Sequence, residues 1–119
     1  MRLSGKVAIV TGGARNIGAV YAHRLAEEGA AVTIADIIDG TEVVEKIERS
    51  GGRAMALKID VSNESDTARM AEETVRAFGR IDILVNNAGG AGAMAPLTKL
   101  SPAAWEKTFG PWLEHGHDD

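Results

Sequence analysis

Cysteine is absent from this chain of 119 residues. That excludes disulfide staples, thiolate nucleophiles and cysteine-based zinc sites together. Long apolar runs are also missing: none approaches the roughly 20 residues that a membrane-spanning helix needs. Nothing at the start resembles a secretory signal, because Met1 to Lys6 leads straight into a strand-like stretch. There is no basic excess either. The formal net charge is −4 and no run of Lys and Arg occurs, so broad attraction to nucleic acid or anionic lipid is not expected. A quarter of the residues are charged and 45% are hydrophobic, the profile of a globular protein. The expectation is one soluble, cytoplasmic domain with neither nucleic acid nor membrane as a partner.

What is present is an alternation. Val7-Ala8-Ile9-Val10 is a short continuous apolar run, as a strand buried on both faces should be. A Gly-rich turn follows, and then Ile17, Val20, Tyr21 and Leu25 fall at helical spacing on one face, with Gly29 as the stop. Ala31 to Ala35 is a second run, followed by a helix that turns Val43, Val44 and Ile47 inward and ends at Gly51-Gly52. Ala54 to Ile59 is a third. Ser62 then reads as the N-cap of a helix with an apolar stripe of Ala68, Ala71, Val75 and Phe78, stopped by Gly79. Ile81 to Val85 is the fourth run. Strands alternating with helices across short joints imply right-handed crossovers and an open parallel sheet with helices on both faces. Beyond it, Gly89 to Ala95 reads as a loop, and Ser101-Pro102 opens a further helix that Gly110-Pro111 should end.

The turn Thr11-Gly12-Gly13-Ala14-Arg15-Asn16-Ile17-Gly18 lies between the first strand and the first helix. Glycines there let the backbone bend tightly and approach a phosphate, while the helix start offers unpaired N–H groups and partial positive charge. Asp36 ends the second strand, where a carboxylate can accept hydrogen bonds from ribose hydroxyls and repel a 2′-phosphate. Arg15 pulls the other way, since a guanidinium pairs with phosphate. Asp36 decides the reading for NAD over NADP. These features together are far more specific than a Gly-rich turn alone.

Thr11 to Gly18 resembles the T-G-x-x-x-G-x-G signature of the short-chain dehydrogenase/reductase family, with Asn16 where that family usually has its middle glycine. Asn is the next-best tolerated residue if the position requires positive φ. Asp60-Val61 is similar to the family's acidic pair beside the adenine, and Asn86-Asn87-Ala88-Gly89 to its N-N-A-G motif. The resemblance runs from about Leu3 to Phe109. It implies a Rossmann-like sheet in strand order 3-2-1-4, truncated relative to the family, with the cofactor along its C-terminal edge. It also implies a cofactor site of Gly12, Arg15, Asn16, Ile17, Gly18, Asp36, Ile37, Asp60, Val61, Asn87, Ala88 and Gly89. The chain then divides into a dinucleotide-binding domain over 1–109 and a divergent tail over 110–119.

The family's chemistry rests on a Ser, a Tyr-x-x-x-Lys pair and a helical Asn, and none of these is matched. Tyr21 is the sole tyrosine and Leu25 stands four residues on, so Tyr21 reads as packing between helix and sheet. Trp112 occupies the position of the helical Asn, and 110–119 looks foreign to the family, as a shifted frame or truncated gene would leave it. No catalytic residue and no metal site is assigned; His115, His117, Asp118 and Asp119 read as a polar terminus, and His23 as a solvated helix residue. The expected function is binding of NAD without turnover by this chain alone. Alternatives are a non-enzymatic dinucleotide-binding or interaction module, half of an enzyme completed by another chain, and a methyltransferase-type site, which the N-N-A-G match disfavours. An uncovered fourth strand, Ile83-Leu84-Val85, and a shortened helix after it predict marginal stability or self-association.

Overall fold

The computed structural model describes residues 2–87. They form β1 (Val7–Thr11), α1 (Asn16–Glu27), β2 (Ala31–Asp36), α2 (Thr41–Arg49), β3 (Arg53–Lys58), α3 (Glu64–Phe78) and β4 (Ile83–Asn86). The four strands are parallel and lie in the order β3-β2-β1-β4, as expected of a Rossmann-like sheet. The expected loop after 88, the later helix, Ala88, Gly89 and the boundary at 109/110 lie outside the described residues.

Alternation along the strands divides the core into two layers. Ile9 and Ala35 point to one face, where Met70 and Ala71 of α3 meet Ile59, Val61 and Ile81. Val10, Val32 and Ile34 point to the other, where Ala22 of α1 and Val43 and Ile47 of α2 cover them. All of β1 and β2 is buried, which explains why both read as unbroken apolar runs rather than alternating ones. One polar pair crosses the α3 side: the hydroxyls of Thr33 and Thr74 share a buried hydrogen bond of 2.9 Å.

Helix stops follow the glycines, with Gly29, Gly51 and Gly79 each just beyond a helix end. Helix faces were harder to read. On α1 the expected apolar row does not face the sheet: Ile17 and Val20 are 59% exposed and Tyr21 is 44% exposed. Gly18 and Ala22 are buried instead, with Leu25 and Ala26 partly so. Small residues let α1 lie close on β1, and the bulkier row turns outward. Tyr21 is therefore not a packing residue between helix and sheet.

The start of α3 also differs from expectation. Asn63, not Ser62, is its N-cap, and its side chain accepts from Asp66 N–H at 3.0 Å. The Ser62 hydroxyl donates to Asp60 Oδ1 at 2.6 Å. The buried face of α3 consists of Thr67, Met70, Ala71 and Thr74, a rotation of the expected stripe. Phe78 is half-buried under the Arg53 guanidinium, 5.1 Å from the ring centre. His23 is half-buried rather than solvated.

A clamp that the apolar pattern did not reveal joins β4 to β1. Asp82 Oδ2 accepts from Val7 N–H at 2.9 Å, and Asp82 N–H donates to the Val7 carbonyl at 2.9 Å. Arg80 grips the same carboxylate through Nε at 3.0 and 2.9 Å and through Nη2 at 2.7 Å. Burial alone would raise the Asp82 carboxyl, but the Arg80 bonds, the Val7 amide and the charges of Arg80 and Lys6 outweigh it and hold it below the usual carboxylate range.

Candidate cofactor site

Three strand ends and one helix start meet at the C-terminal edge of the sheet. Thr11, fully buried, ends β1 and anchors β4: its hydroxyl oxygen accepts from Asn87 N–H at 2.8 Å and lies 3.3 Å from the Val85 carbonyl and from Asn86 Oδ1. Gly12 N–H donates to the Ala35 carbonyl at 2.7 Å, continuing the β1–β2 ladder one residue into the turn. The chain then reverses with φ +66° at Gly12 and +54° at Asn16. Asn16 is the one non-glycine with positive φ among the described residues. The position does demand left-handed backbone, and Asn meets that demand in place of glycine.

Gly18 shows why the turn cannot carry side chains everywhere. A Cβ placed there would lie 1.9 Å from the Gly12 carbonyl oxygen and 2.8 Å from Asn87 Nδ2. The turn, the first turn of α1 and the residue after β4 are thus in mutual contact, and only a hydrogen fits between them.

This helix start is suited to an anion. The first helical hydrogen bond of α1 runs from Ala19 N–H to the Arg15 carbonyl, so the amides of Asn16, Ile17 and Gly18 have no acceptor within the helix. Arg15, the N-cap residue, supplies no side-chain cap, and no acidic residue occupies the first turn. By contrast, α3 is capped by Asn63 and carries Glu64 and Asp66, and α2 begins with Asp39 accepting from Thr41 N–H at 3.0 Å and Thr41 Oγ1 at 2.6 Å. Those Thr41 bonds hold the Asp39 carboxyl below its usual range.

Asp36 closes the site from the β2 side. It is 7% exposed; Oδ2 accepts from Ala14 N–H at 3.1 Å and Oδ1 from Ile38 N–H at 3.2 Å. Its carboxylate pins the Gly-rich turn against β2. No cation forms an ion pair with it among the described residues, although Arg15 lies on the adjoining turn and Lys58 is its register partner on β3. Ile37 next to it is 63% exposed. Asp60, exposed, accepts from Ser62 N–H at 2.9 Å as well as from the Ser62 hydroxyl, so its carboxylate shapes the loop that leads into α3. Val61 is 8% exposed and belongs to the α3-side core.

Of the expected site residues, Gly12, Arg15, Asn16, Ile17, Gly18, Asp36 and Asn87 are brought together around the turn. Asp60 and Val61 stand one strand further out, beyond Asp36, joined to it through the bond from Ile59 N–H to the Asp36 carbonyl at 2.8 Å. Sequence reasoning missed Thr11 as the anchor of Asn87 and Ala14 as the amide tied to Asp36. A threonine directly before the glycines was the available signal for the first. No cluster of metal-ligating side chains occurs among the described residues. A cavity of about 500 Å³ lies at the opposite end of the sheet, lined by Ser4, His23, Glu27, Ile47 and Gly52 among others, far from this convergence of groups.

The sequence profile of the short chain dehydrogenase family matches residues 6–110. The chain belongs to that family. It is 44% identical over 105 residues to the cis-4-hydroxycyclohexanecarboxylate dehydrogenase of Sinomonas cyclohexanicum, covering 87% of this chain and 42% of that protein. The fold superposes on a hydroxysteroid dehydrogenase from Escherichia coli with a TM-score of 0.85 and 33% identity, covering 97% of this chain and 55% of the other. A 7α-hydroxysteroid dehydrogenase complexed with NADH and 7-oxo glycochenodeoxycholic acid gives 0.84 and 34%, over 97% and 51%. A metagenomic short-chain oxidoreductase in complex with NADP gives 0.84 and 31%, over 98% and 60%. The chain thus spans about half the length of the relatives it matches.

Proposed function

We propose that this chain is the NAD(H)-binding part of a short-chain dehydrogenase-type oxidoreductase, and that it holds the dinucleotide without itself carrying the reacting groups. Hydride transfer between nicotinamide and an alcohol or carbonyl is the chemistry the bound cofactor supplies in this family. The residues present fit such a ligand. The amides of Asn16, Ile17 and Gly18, with no acceptor among the described residues, sit at a helix start that suits a pyrophosphate. Gly18, with no Cβ, lets the turn close on Asn87. In this reading Asn87, beside Gly18, lines the side toward β4, Asp60 and Val61 border the adenine and Ile37 covers it from β2, while Ala88 and Gly89 lie outside the described residues.

The observation that carries the choice of NAD is the Asp36 carboxylate, almost buried and without a cation partner among the described residues. Its lone pairs can accept from ribose hydroxyls, whereas a 2′-phosphate would bring like charge to within contact distance. At about 4 Å and an effective dielectric near 20, that repulsion is of order 4 kcal/mol before screening. Arg15 and Lys58 offset part of it, yet neither is engaged with Asp36. Titration of the folded chain with NADH and NADPH tests the reading: NADH should bind more tightly, and preference for NADPH would overturn it. Purified chain supplied with NAD(H) and alcohols or carbonyl compounds should show binding without turnover; steady turnover would contradict the second half of the reading.

A second reading, completion by another chain or by a second copy, draws on two surfaces. Among the described residues β4 is an edge strand without a charged residue, Ile83-Leu84-Val85-Asn86, while the opposite edge strand β3 is bracketed by Arg53 and Lys58. The outward row of α1, Ile17, Val20 and Tyr21, adds apolar area. Self-association through β4 should appear as a concentration-dependent sedimentation coefficient; a monomer at all concentrations would remove this reading.

A further inference from the structure

We propose that Asp66, on the first turn of α3, is a positioning residue for the adenine side of the dinucleotide site, acting through the backbone of Asp60. This rests on the cofactor reading above, in which Asp60 and Val61 border the adenine, and adds a residue outside that set. The β3 ladder ends at Lys58, so the Asp60 amide lies past the last strand pair. Asp66 Oδ2 accepts from it at 2.9 Å.

The direction of that carboxylate is unusual for its place in a helix. An acid three residues after an N-cap ordinarily turns back to the N-cap amide and completes a capping box. Asn63 is the N-cap of α3 and accepts from Asp66 N–H, but its own amide donates to the Asp60 carbonyl at 3.0 Å. The Asp66 carboxylate reaches past the cap to Asp60 instead. Arg69, three residues on, donates to the Lys58 carbonyl at 2.7 Å and stands 3.7 Å from Asp66 Oδ1. Helix α3 thus holds the chain on both sides of Ile59, by the Lys58 carbonyl and by the Asp60 amide. Ile59 N–H in turn donates to the Asp36 carbonyl at 2.8 Å. The two acids of the proposed site are therefore fixed relative to each other through one buried residue that α3 clamps. The Asp66 side chain is 31% exposed and belongs to neither core layer, so its bonds bear on the loop more than on the fold. A segment held in place before the ligand arrives loses little further freedom on binding, and affinity rises accordingly.

Asp66→Ala and Asp66→Asn separate this role from a general contribution to the helix. Asparagine keeps an oxygen for the Asp60 amide and gives up the charge, whereas alanine gives up both. With the proposal correct, folded Asp66→Ala binds NADH and AMP about three- to tenfold more weakly, by the same factor for each, the span of one lost hydrogen bond. Asp66→Asn melts lower than wild type, as loss of a first-turn acid should cause, yet its affinities stay within about twofold for both ligands. Asp66→Ser, whose hydroxyl is too short to reach Asp60, should match alanine and takes its place if alanine does not fold. Undiminished AMP binding by folded Asp66→Ala or Asp66→Ser overturns the proposal and leaves the cofactor reading standing. An Asp66→Asn loss as large as that of alanine does the same. Wild-type protein that binds neither NADH nor AMP overturns both.

Discussion

Two nearly buried aspartates sit at opposite ends of the same sheet and are held in different ways. The Asp82 side chain is 8% exposed and fully compensated: Arg80 grips both oxygens and Val7 N–H fills a remaining lone pair. Asp36, 7% exposed, receives two backbone amides and, among the described residues, no cation. The first arrangement closes on itself and locks β4 to β1. The second leaves acceptor capacity facing a turn whose helix start carries unpaired donors. A buried charge without a counter-charge is costly unless hydrogen bonds or a ligand satisfy it, so the incomplete end of the sheet is where binding is expected.

Removing Asp82 should have the largest effect on folding. Asp82→Ala removes the acceptor of the Val7 amide and of three Arg80 hydrogen bonds and should cost about 2–4 kcal/mol, read as a shift of the urea midpoint. Gly18→Ala attacks the other end. Its Cβ cannot coexist with the Gly12 carbonyl, so the turn must open at about 1–3 kcal/mol, and NADH binding should vanish while β1 to β3 stay protected from hydrogen exchange. Asp36→Ala frees two amides that water can reach and should cost only about 1 kcal/mol, but weaken NADH binding roughly tenfold or more and erase the preference over NADPH.

Acid sharpens the contrast. Asp82 is depressed in the folded state, so the stability it contributes is fully present above the unfolded aspartate value of about 3.9 and is lost as pH falls through the lower folded value. Wild type should lose stability steeply below about pH 4, and Asp82→Asn should flatten that slope. A variant with the wild-type slope would place the acid-sensitive group elsewhere. The smallest change is expected at the outward row of α1: Val20→Lys should alter stability by no more than about 0.5 kcal/mol, and it should reduce any self-association.

The sequence was most legible where chemistry and backbone coincide. Asn16 in the glycine slot signalled a left-handed residue, and the structure has one there. Continuous apolar runs marked β1 and β2 because both are covered on two faces. Periodicity misled on α1, where spacing counts apolar residues but ignores size. Gly18 and Ala22 face the sheet because close approach of helix to strand needs small side chains, and Ile17, Val20 and Tyr21 take what is left. Ser62 lost the cap to Asn63 because its hydroxyl is drawn to Asp60. The Arg80–Asp82 clamp lies outside any apolar pattern, though Arg-x-Asp just before a strand was its visible trace.

Amide chemical-shift mapping during titration of the isotopically labelled chain with NAD tests the central claim most directly. The account predicts that resonances of Gly13, Arg15 to Gly18, Asp36 to Ile38 and Asn87 move together and saturate with one affinity. Shifts confined to the distant cavity around Ser4, His23 and Gly52, or no shift from folded protein at millimolar cofactor, would contradict it.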